Sequence, residues 1–196
     1  MWPANPTIAV SNLIVSFLMT QRKAKLDRDQ LMEAALRALG GREHSTGELR
    51  DKLRRRGDAA DVEAVLQKLR ESGYLDDRRF ATGYAAARLE NNLGKMRVVR
   101  DLRQRRVAPE LAEQIAEQTY SGTNETALIE EFLRRKYRGK KLAPFLAEPK
   151  NLAAAFRRLR YAGFSAGSAI AVLKRHAREP EILDALESEQ SGDSED

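Results

Sequence analysis

The sequence predicts an all-α protein, with three tandem three-helix repeats forming an elongated, curved helical body. Its 196 residues are rich in Ala, Leu, Glu, Arg and Lys, whose unbranched side chains lose little conformational freedom in a helix. Apolar residues recur with the three- and four-residue spacing of an amphipathic helix, and no run alternates in the way that is typical of a strand. Helical units that pack mainly on their neighbours produce an extended body with a long flank for binding.

Residues that cap helices mark the beginning of each repeat. Asp27, Asp76 and Asn124 lie 49 and 48 residues apart, and each has a short polar side chain that can accept a hydrogen bond from the free amides of a first helical turn. We therefore place the repeats and their flanks at residues 1–26 (an N-terminal extension), 27–73, 74–122, 123–178 and 179–196 (an acidic tail).

A second and a third helix follow in each repeat. In the first repeat, Ser45 is followed three residues later by Glu48, which is a capping box. Alignment of the second helices places Leu53, Leu102 and Leu159 in one register, with Leu49, Val98 and Ala155 one turn earlier. The third helices are expected at about residues 59–72, 109–120 and 165–176, the second of them beginning with Pro109.

Apolar stripes predict the core. Each stripe has residues at positions i, i+3, i+4 and i+7, which places them on one helix face. The four stripes are Val62, Val65, Leu66 and Leu69; Phe80, Gly83, Tyr84 and Ala87; Leu152, Ala155, Phe156 and Leu159; and Ala166, Ala169, Ile170 and Leu173.

Glycines are expected where these helices end. Gly57, Gly73 and Gly163 can enter the left-handed conformation that terminates a helix. Tyr74 and Phe164 stand directly after two of them, where an aromatic ring can close over the core. In the third repeat, residues 138–150 form a long connection between helices, and a connection of that length is often functional or mobile.

The N-terminus carries an apolar run at residues 8–19 that Ser11, Asn12 and Ser16 interrupt. Twelve residues are too few to span a bilayer, which needs about 20, and no basic residue precedes them as in a signal peptide. We expect Met19 to be the native start and residues 1–18 to belong to the gene model. An interfacial membrane anchor is the alternative.

The charge is divided unevenly along the chain. Residues 179–196 hold eight of the 29 acidic residues and no Lys or Arg, so residues 1–178 carry 35 basic against 21 acidic residues, a net charge of +14. A body this basic favours a polyanion such as nucleic acid as partner. The alternative interpretation is that these basic residues only lie on solvated helix faces and bind nothing. The last dozen residues, rich in Ser, Glu and Asp, are expected to be disordered.

Enzymatic and metal chemistry have little support in the sequence. There is no cysteine, which fits a reducing, cytoplasmic compartment, and the two histidines, His44 and His176, have no metal-ligand spacing around them. Asp76 and Asp77 are adjacent carboxylates without a base or further ligands nearby, so we interpret them as a helix cap and a first-turn acid. No cofactor, metal or catalytic residue is predicted.

Several motifs together resemble one family. They are EHSTGELRDKLRRRG at residues 43–57, GYLDDRRFA at 73–81, GKMRVVRDLRQRRV from Gly94 and RRLRYAGFSAGSAIAVL from Arg157. In this order they are similar to the RecX family of RecA regulators, over about residues 30–177. Arg106 departs from the pattern, because a glycine is expected there. The resemblance implies a non-enzymatic protein that binds in the groove of the RecA–DNA filament and restrains its recombinase, ATPase and coprotease activities.

Arginines that project from the apolar faces are the candidate site. Repetition across three units predicts a basic flank that meets phosphates and carboxylates with paired hydrogen bonds. Its predicted members are Arg50, Arg54, Arg55, Arg97, Arg100, Arg103, Arg134, Arg135, Arg157, Arg158 and Arg160. The expected partners are the RecA filament and, weakly and without sequence preference, single- and double-stranded DNA, with no membrane and with the protein as a monomer.

Two other functions remain open at this point. Three-helix units can resemble a helix-turn-helix module, so the protein could bind DNA without a filament partner. A nuclease is the second alternative, against which the lack of a carboxylate or histidine cluster argues. An ATPase assay of the cognate recombinase on single-stranded DNA distinguishes these functions.

Overall fold

The computed structural model describes residues 25–176, and this part of the chain is helical throughout. The ten helices are α1 (Arg28–Gly41), α2 (Thr46–Arg54), α3 (Ala59–Glu71), α4 (Asp77–Glu90), α5 (Lys95–Gln104), α6 (Pro109–Tyr120), α7 (Glu125–Lys136), α8 (Leu142–Leu146), α9 (Pro149–Ala162) and α10 (Ala166–Lys174). The only extended pairing in this range is an isolated bridge between Leu26 and Gly57. The all-α prediction is confirmed. None of the helices in residues 25–176 has the length and hydropathy that crossing a bilayer requires.

The helix caps lie where the sequence places them. The side chains of Asp27, Asp76 and Asn124 each accept a hydrogen bond from the amide three residues later. Ser45 forms the expected capping box with Glu48. Because these caps fix where each helix begins, they also fix which of the following residues lie on the side of the helix that faces the core.

The buried residues form three clusters along the chain. The first lies between α1, α2 and α3, the second between α4, α5 and α6, and the third between α7, α9 and α10. Leu53, Leu102 and Leu159, predicted in one register, are each at most 1% exposed and lie in successive clusters. The predictions for residues 1–24 and 177–196, which include the Met19 start and the acidic tail, lie outside the described residues.

One predicted stripe is wrong in part. Gly83 and Ala87 of α4 are exposed, whereas Ala81 and Ala85 are fully buried beside Phe80. The buried face of α4 is therefore rotated from the predicted one, because small alanines let α6 approach closely. Phe80 and Tyr84 still contact each other on it.

Two positions beside helix ends differ from the prediction. Gly57 does not have a positive φ; it is needed instead because a Cβ there would lie 2.5 Å from a Leu31 methyl carbon. Tyr74 is 59% exposed, and Leu75, which is 3% exposed, closes the first core in its place. At Gly163, where φ is +93°, and at the buried Phe164 the prediction is confirmed.

The connection between α7 and α9 is more ordered than a long loop. It contains α8, whose Leu146 is fully buried in the third cluster. The Phe145 ring stacks against the ring of Tyr137 at a centroid distance of 4.9 Å, and Asn151 donates to the Phe145 carbonyl. The predicted mobile loop is thus a short helix that completes the third core.

Candidate functional site

The second helices of the three clusters meet end to end. At the first joint, the N-terminus of α2 abuts the C-terminus of α5, and the Ser45 hydroxyl donates a hydrogen bond to the Arg105 carbonyl. Gly47 packs directly against Arg106: a Cβ on Gly47 would lie 2.5 Å from the Arg106 carbonyl oxygen. This contact leaves no room for any other residue at position 47.

Charged side chains reinforce the first joint. Asp77, at the start of α4, accepts a hydrogen bond of 2.7 Å from the amide of Thr46, a free donor in the first turn of α2. Arg105 donates to the Glu48 carboxylate at 3.1 Å, and its guanidinium lies 4.7 Å from the centre of the Phe80 ring. Asp77 therefore has a structural role, as the sequence indicates, but its hydrogen bond joins two units.

Two titratable groups lie at this joint. Burial would raise the pKa of Glu48, but hydrogen bonds from Arg42 and Arg105 outweigh burial and hold its pKa below the ordinary value. Burial and the nearby positive charges of Arg42 and Lys52 lower the pKa of His44. His44 is therefore a neutral, packed residue at pH 7.

The second joint repeats this arrangement between α9 and α5. The amides of Gly94 and Met96, at the N-terminus of α5, donate to the carbonyls of Ala162 and Gly163 at 2.9 and 3.1 Å. The backbones approach so closely that a Cβ on Gly94 would clash with the Gly163 carbonyl. The C-terminal carbonyls of one helix thus satisfy the N-terminal amides of the next, which aligns the two helix dipoles head to tail.

On the protein surface at the second joint, Tyr161 at the end of α9 lies against the arginines of α5. The residue is 68% exposed, and the guanidinium groups of Arg97 and Arg100 lie 4.7 and 5.2 Å from the centre of its ring. Arg100 also donates to the Tyr161 carbonyl at 2.8 Å. Cation–π contacts of this kind bind arginines to an aromatic ring without removing their charge.

Half-buried polar groups form further hydrogen bonds next to the second joint. Glu125 accepts hydrogen bonds from the amide and hydroxyl of Ser165; burial alone would raise the pKa of this carboxylate, but these bonds lower it. Tyr120 donates its hydroxyl to the Leu93 carbonyl at 2.6 Å, and burial raises its pKa to about 12. Glu125, Ser165 and Tyr120 line a cavity of about 280 Å³ together with Met96.

Arg97 does not project into solvent as predicted. It donates to both carboxylate oxygens of Asp101 at 2.8 and 3.0 Å, and this hydrogen bond raises its pKa above the ordinary value. Asp101 is only 8% exposed, and Tyr84 also donates to it. A buried carboxylate requires a charged partner, so Arg97 is first a structural residue.

The structure brings the predicted arginines together in three places. Arg50 and Arg103 line an open groove of about 700 Å³ across the first joint, together with Arg106. Arg97, Arg100 and Arg160 surround the second joint, where Arg160 lies 4.0 Å from the Met96 sulfur and donates to the Phe164 carbonyl.

The third place is the C-terminal end of α7. Arg134 and Arg135 line a groove of about 380 Å³ with Arg138 and Lys140. Arg158 of α9 reaches the same end of the helix, where it donates to the Tyr137 hydroxyl at 3.3 Å. Cations here also complement the negative end of the α7 dipole.

Several of the predicted arginines form ion pairs with carboxylates of the same protein. Arg50 and Arg54 both pair with Glu63, Arg103 with Glu113 and Arg134 with Glu131. Pairs as exposed as these contribute little stability, so a phosphate or another carboxylate can displace them at small cost. Within residues 25–176, the side chains of Arg55, Arg135 and Arg157 form no hydrogen bond or ion pair.

Sequence reasoning missed three residues of these joints: Tyr161, Met96 and Arg105. Tyr161 carried a signal, since this aromatic residue directly follows the basic run from Arg157 to Arg160. The role of Arg105 had no signal, because its partner Glu48 lies 57 residues away. Among residues 25–176, no three histidine, cysteine or carboxylate side chains are grouped so that they could hold a metal ion.

Comparison with known proteins gives a consistent result. Family models of the first and second three-helix domains of RecX match residues 32–69 and 76–115. The regulatory protein RecX of Vibrio parahaemolyticus is 33% identical over 135 residues, covering 68% of this chain and 83% of the relative. That of Halorhodospira halophila is 42% identical over 90 residues, covering 45% of this chain and only 56% of the relative.

Solved structures support the fold. The crystal structure of RecX from Lactobacillus salivarius matches 76% of this chain and 96% of its own with a TM-score of 0.60, at 18% identity. The Vibrio and Halorhodospira relatives are both named regulatory proteins. With its two matching domains and its similarity over most of the length of a curated relative, the chain belongs to the RecX family of regulatory proteins.

Proposed function

We propose that this protein regulates the RecA recombinase by binding in the groove of the RecA–DNA filament, as a cytoplasmic monomer. In this role it restrains the recombinase, ATPase and coprotease activities of the filament during DNA repair, recombination and the SOS response. It needs no cofactor and performs no catalysis of its own. Membership of the RecX family supports the partner, and the arrangement of the arginines supports the mode of binding.

The observation that carries this proposal is the end-to-end joining of the second helices. Because α9 meets α5 and α5 meets α2, arginines that lie far apart in sequence come to the same joints. A row of guanidinium groups on successive helices matches the repeating phosphates and carboxylates of a filament. We further propose that residues 27–73, 74–122 and 123–178 are three domains that each present one segment of this flank.

The binding is expected to be electrostatic. The body has a net charge of +14 over residues 1–178. For each phosphate contact on duplex DNA, the affinity should fall by about 0.9 log units per log unit of added salt. DNA alone should therefore be bound weakly and without sequence preference, and the filament should add the contacts with protein that make binding strong.

Arginines without an intramolecular partner give the sharpest test. In a triple variant, Arg55→Glu, Arg135→Glu and Arg157→Glu should preserve the fold, since the three side chains are exposed and no hydrogen bond or ion pair of theirs within residues 25–176 is lost. Inhibition of the recombinase ATPase on single-stranded DNA should fall sharply, because the new carboxylates repel the phosphates. Circular dichroism of the variant checks the fold.

A matched control changes the net charge equally at other surfaces. Lys68→Glu, Arg37→Glu and Lys174→Glu reverse three exposed cations outside the predicted flank. The control should inhibit normally. Equal loss of inhibition in both triple variants would mean that only net charge matters, and normal inhibition by the flank variant would reject the flank. If both proteins bind DNA strongly and sequence-specifically without the recombinase, the helix-turn-helix alternative is correct.

A further inference from the structure

One groove on the surface of α5 combines apolar and basic side chains. It has a volume of about 530 Å³ and is lined by Lys95, Met96, Val99, Arg100, Arg103 and Gln104; we call it the α5 groove. Its floor includes Met96, which is 52% exposed, and Val99, which packs against the second core. An exposed apolar strip between cations is typical of a surface that binds an apolar, acidic segment.

The chain itself contains a segment of this chemistry. Residues 179–189 read EPEILDALESE, in which Ile182, Leu183 and Leu186 alternate with five carboxylates and no cation. The apolar residues have three- and four-residue spacing, so one face of the segment can be apolar while its edges are acidic. This pattern is complementary to the floor and the rim of the α5 groove.

The segment is also within reach of the groove. Helix α10 begins next to the start of α5, because Phe164 and Gly94 are in backbone contact, and its nine residues rise about 14 Å. From His176 to Ile182 an extended chain spans about 20 Å. The segment can therefore return to α5, and its effective concentration there is far higher than that of a free partner.

We propose that residues 179–189 bind in the α5 groove of their own chain, with the leucines on Met96 and Val99 and the carboxylates against Arg100 and Arg103. A bound segment covers two arginines of the basic flank, so it competes with phosphates for them. The regulatory consequence rests on the proposed function, since filament or DNA must displace the segment. The docking itself does not depend on any partner.

Cysteine cross-linking tests the docking without recombinase or DNA. The chain has no cysteine, so Gln104→Cys at the groove with Ser188→Cys in the segment creates one reporter pair in the full-length protein. The control pair joins Ser188→Cys to Gln67→Cys, an equally exposed glutamine on α3. In dilute protein, the groove pair should form an intramolecular disulfide at least about tenfold faster than the control pair.

A charge exchange tests the chemistry of the contact. Asp184→Lys with Glu187→Lys should slow the cross-link several-fold, and so should Arg100→Glu with Arg103→Glu. Combining both sets should restore it, which a general loss of stability would not do. The segment variants lie outside the described fold, so they remain informative even if the arginine variants unfold.

Three results would overturn the docking: equal cross-linking rates at both cysteine pairs, cross-linked dimers instead of monomers, or cross-linking rates that the charge-reversal variants do not change. In the first case the segment does not select the groove, and in the second it binds a second copy. Deleting residues 179–196 should also strengthen binding of single-stranded DNA, and unchanged affinity would reject the competition. Failure of ATPase inhibition would instead reject the proposed function and leave the cross-linking result intact.

Discussion

The carboxylate of Asp77 accepts a hydrogen bond of 2.7 Å from the amide of Thr46, so the residue that opens α4 also holds the first turn of α2. Its neighbour Asp76 caps α4 itself by accepting from the Arg79 amide at 2.9 Å. Two adjacent carboxylates thus have different structural roles: one stabilises a helix, and the other joins two three-helix units.

We predict that Asp77→Ala lowers the free energy of unfolding by about 1–3 kcal/mol, because it leaves the buried Thr46 amide without its charged acceptor. Asp76→Ala should cost about 1 kcal/mol as a lost helix cap. Asp29→Ala, an exposed first-turn acid on α1, is the control and should have a small effect. Urea denaturation measures all three. An Asp77→Ala protein as stable as the control would show that the joint does not depend on this bond.

The two arginines Arg97 and Arg157 should separate structure from binding. Arg97→Ala removes the Nε donor that both carboxylate oxygens of the nearly buried Asp101 share, so we expect a loss of about 1–3 kcal/mol in stability. Arg157→Ala should change stability by less than about 0.5 kcal/mol, since Arg157 is exposed. Thermal unfolding of both proteins tests this ranking. The opposite order would mean that Asp101 is satisfied by Tyr84 and by Arg88, whose Nε lies 4.0 Å from the carboxylate, without Arg97.

The sequence predicted what depends on local spacing. Caps at Asp27, Asp76 and Asn124 act within one helical turn, and the register of Leu53, Leu102 and Leu159 follows from helix geometry. Both kinds of signal depend on residues three or four positions apart, so a single sequence is sufficient to find them.

What could not be predicted depends on contacts between distant residues. Glu48 and Arg105 lie 57 positions apart, and Arg100 and Tyr161 lie 61 apart. Arg97 is a different case: its partner Asp101 lies only four residues away, but the sequence did not show that Asp101 is nearly buried and that Tyr161 of the next unit lies against Arg97. On α4, alanines at 81 and 85 are buried in place of 83 and 87, because the position of α6 and not the spacing decides which small residues face inward.

His44 predicts a pH dependence. Its pKa is lowered by burial and by the charges of Arg42 and Lys52, against which only Glu48 acts. The unfolded chain therefore takes up a proton near the ordinary pKa of 6.5, whereas the folded chain takes it up only at lower pH, so stability falls as the pH drops below 6.5. The slope cannot exceed about 1.4 kcal/mol per pH unit for one proton.

The variant His44→Gln should remove this slope. Urea denaturation between pH 7.5 and about 5.5 measures it, since Glu48 loses its own contribution only below the ordinary carboxylate pKa of 4.5. In the parent protein the midpoint should shift toward lower urea across this range, whereas in the variant it should stay nearly constant. A slope that survives the substitution would assign the proton uptake to another group.

Arg106 occupies a backbone conformation that suits glycine. Its φ is +61°, in the left-handed region, and the sequence pattern expects glycine at this position. A residue with a Cβ pays about 1–2 kcal/mol for that conformation. The Arg106 side chain pairs with Asp51 at 3.1 Å, but both groups are exposed, so this ion pair offsets little of the strain.

Comparing Arg106→Gly with Arg106→Ala isolates the backbone term, because both variants lose the ion pair and only alanine keeps the strain. We predict that the glycine variant is more stable than the alanine variant by about 1 kcal/mol, as measured by urea denaturation. Gly47→Ala should destabilise either protein, since its new methyl group would lie 2.5 Å from the carbonyl oxygen of residue 106. Equal stability of the two variants at position 106 would mean that the first joint holds the left-handed turn without strain. In that case the departure from glycine would cost the protein nothing.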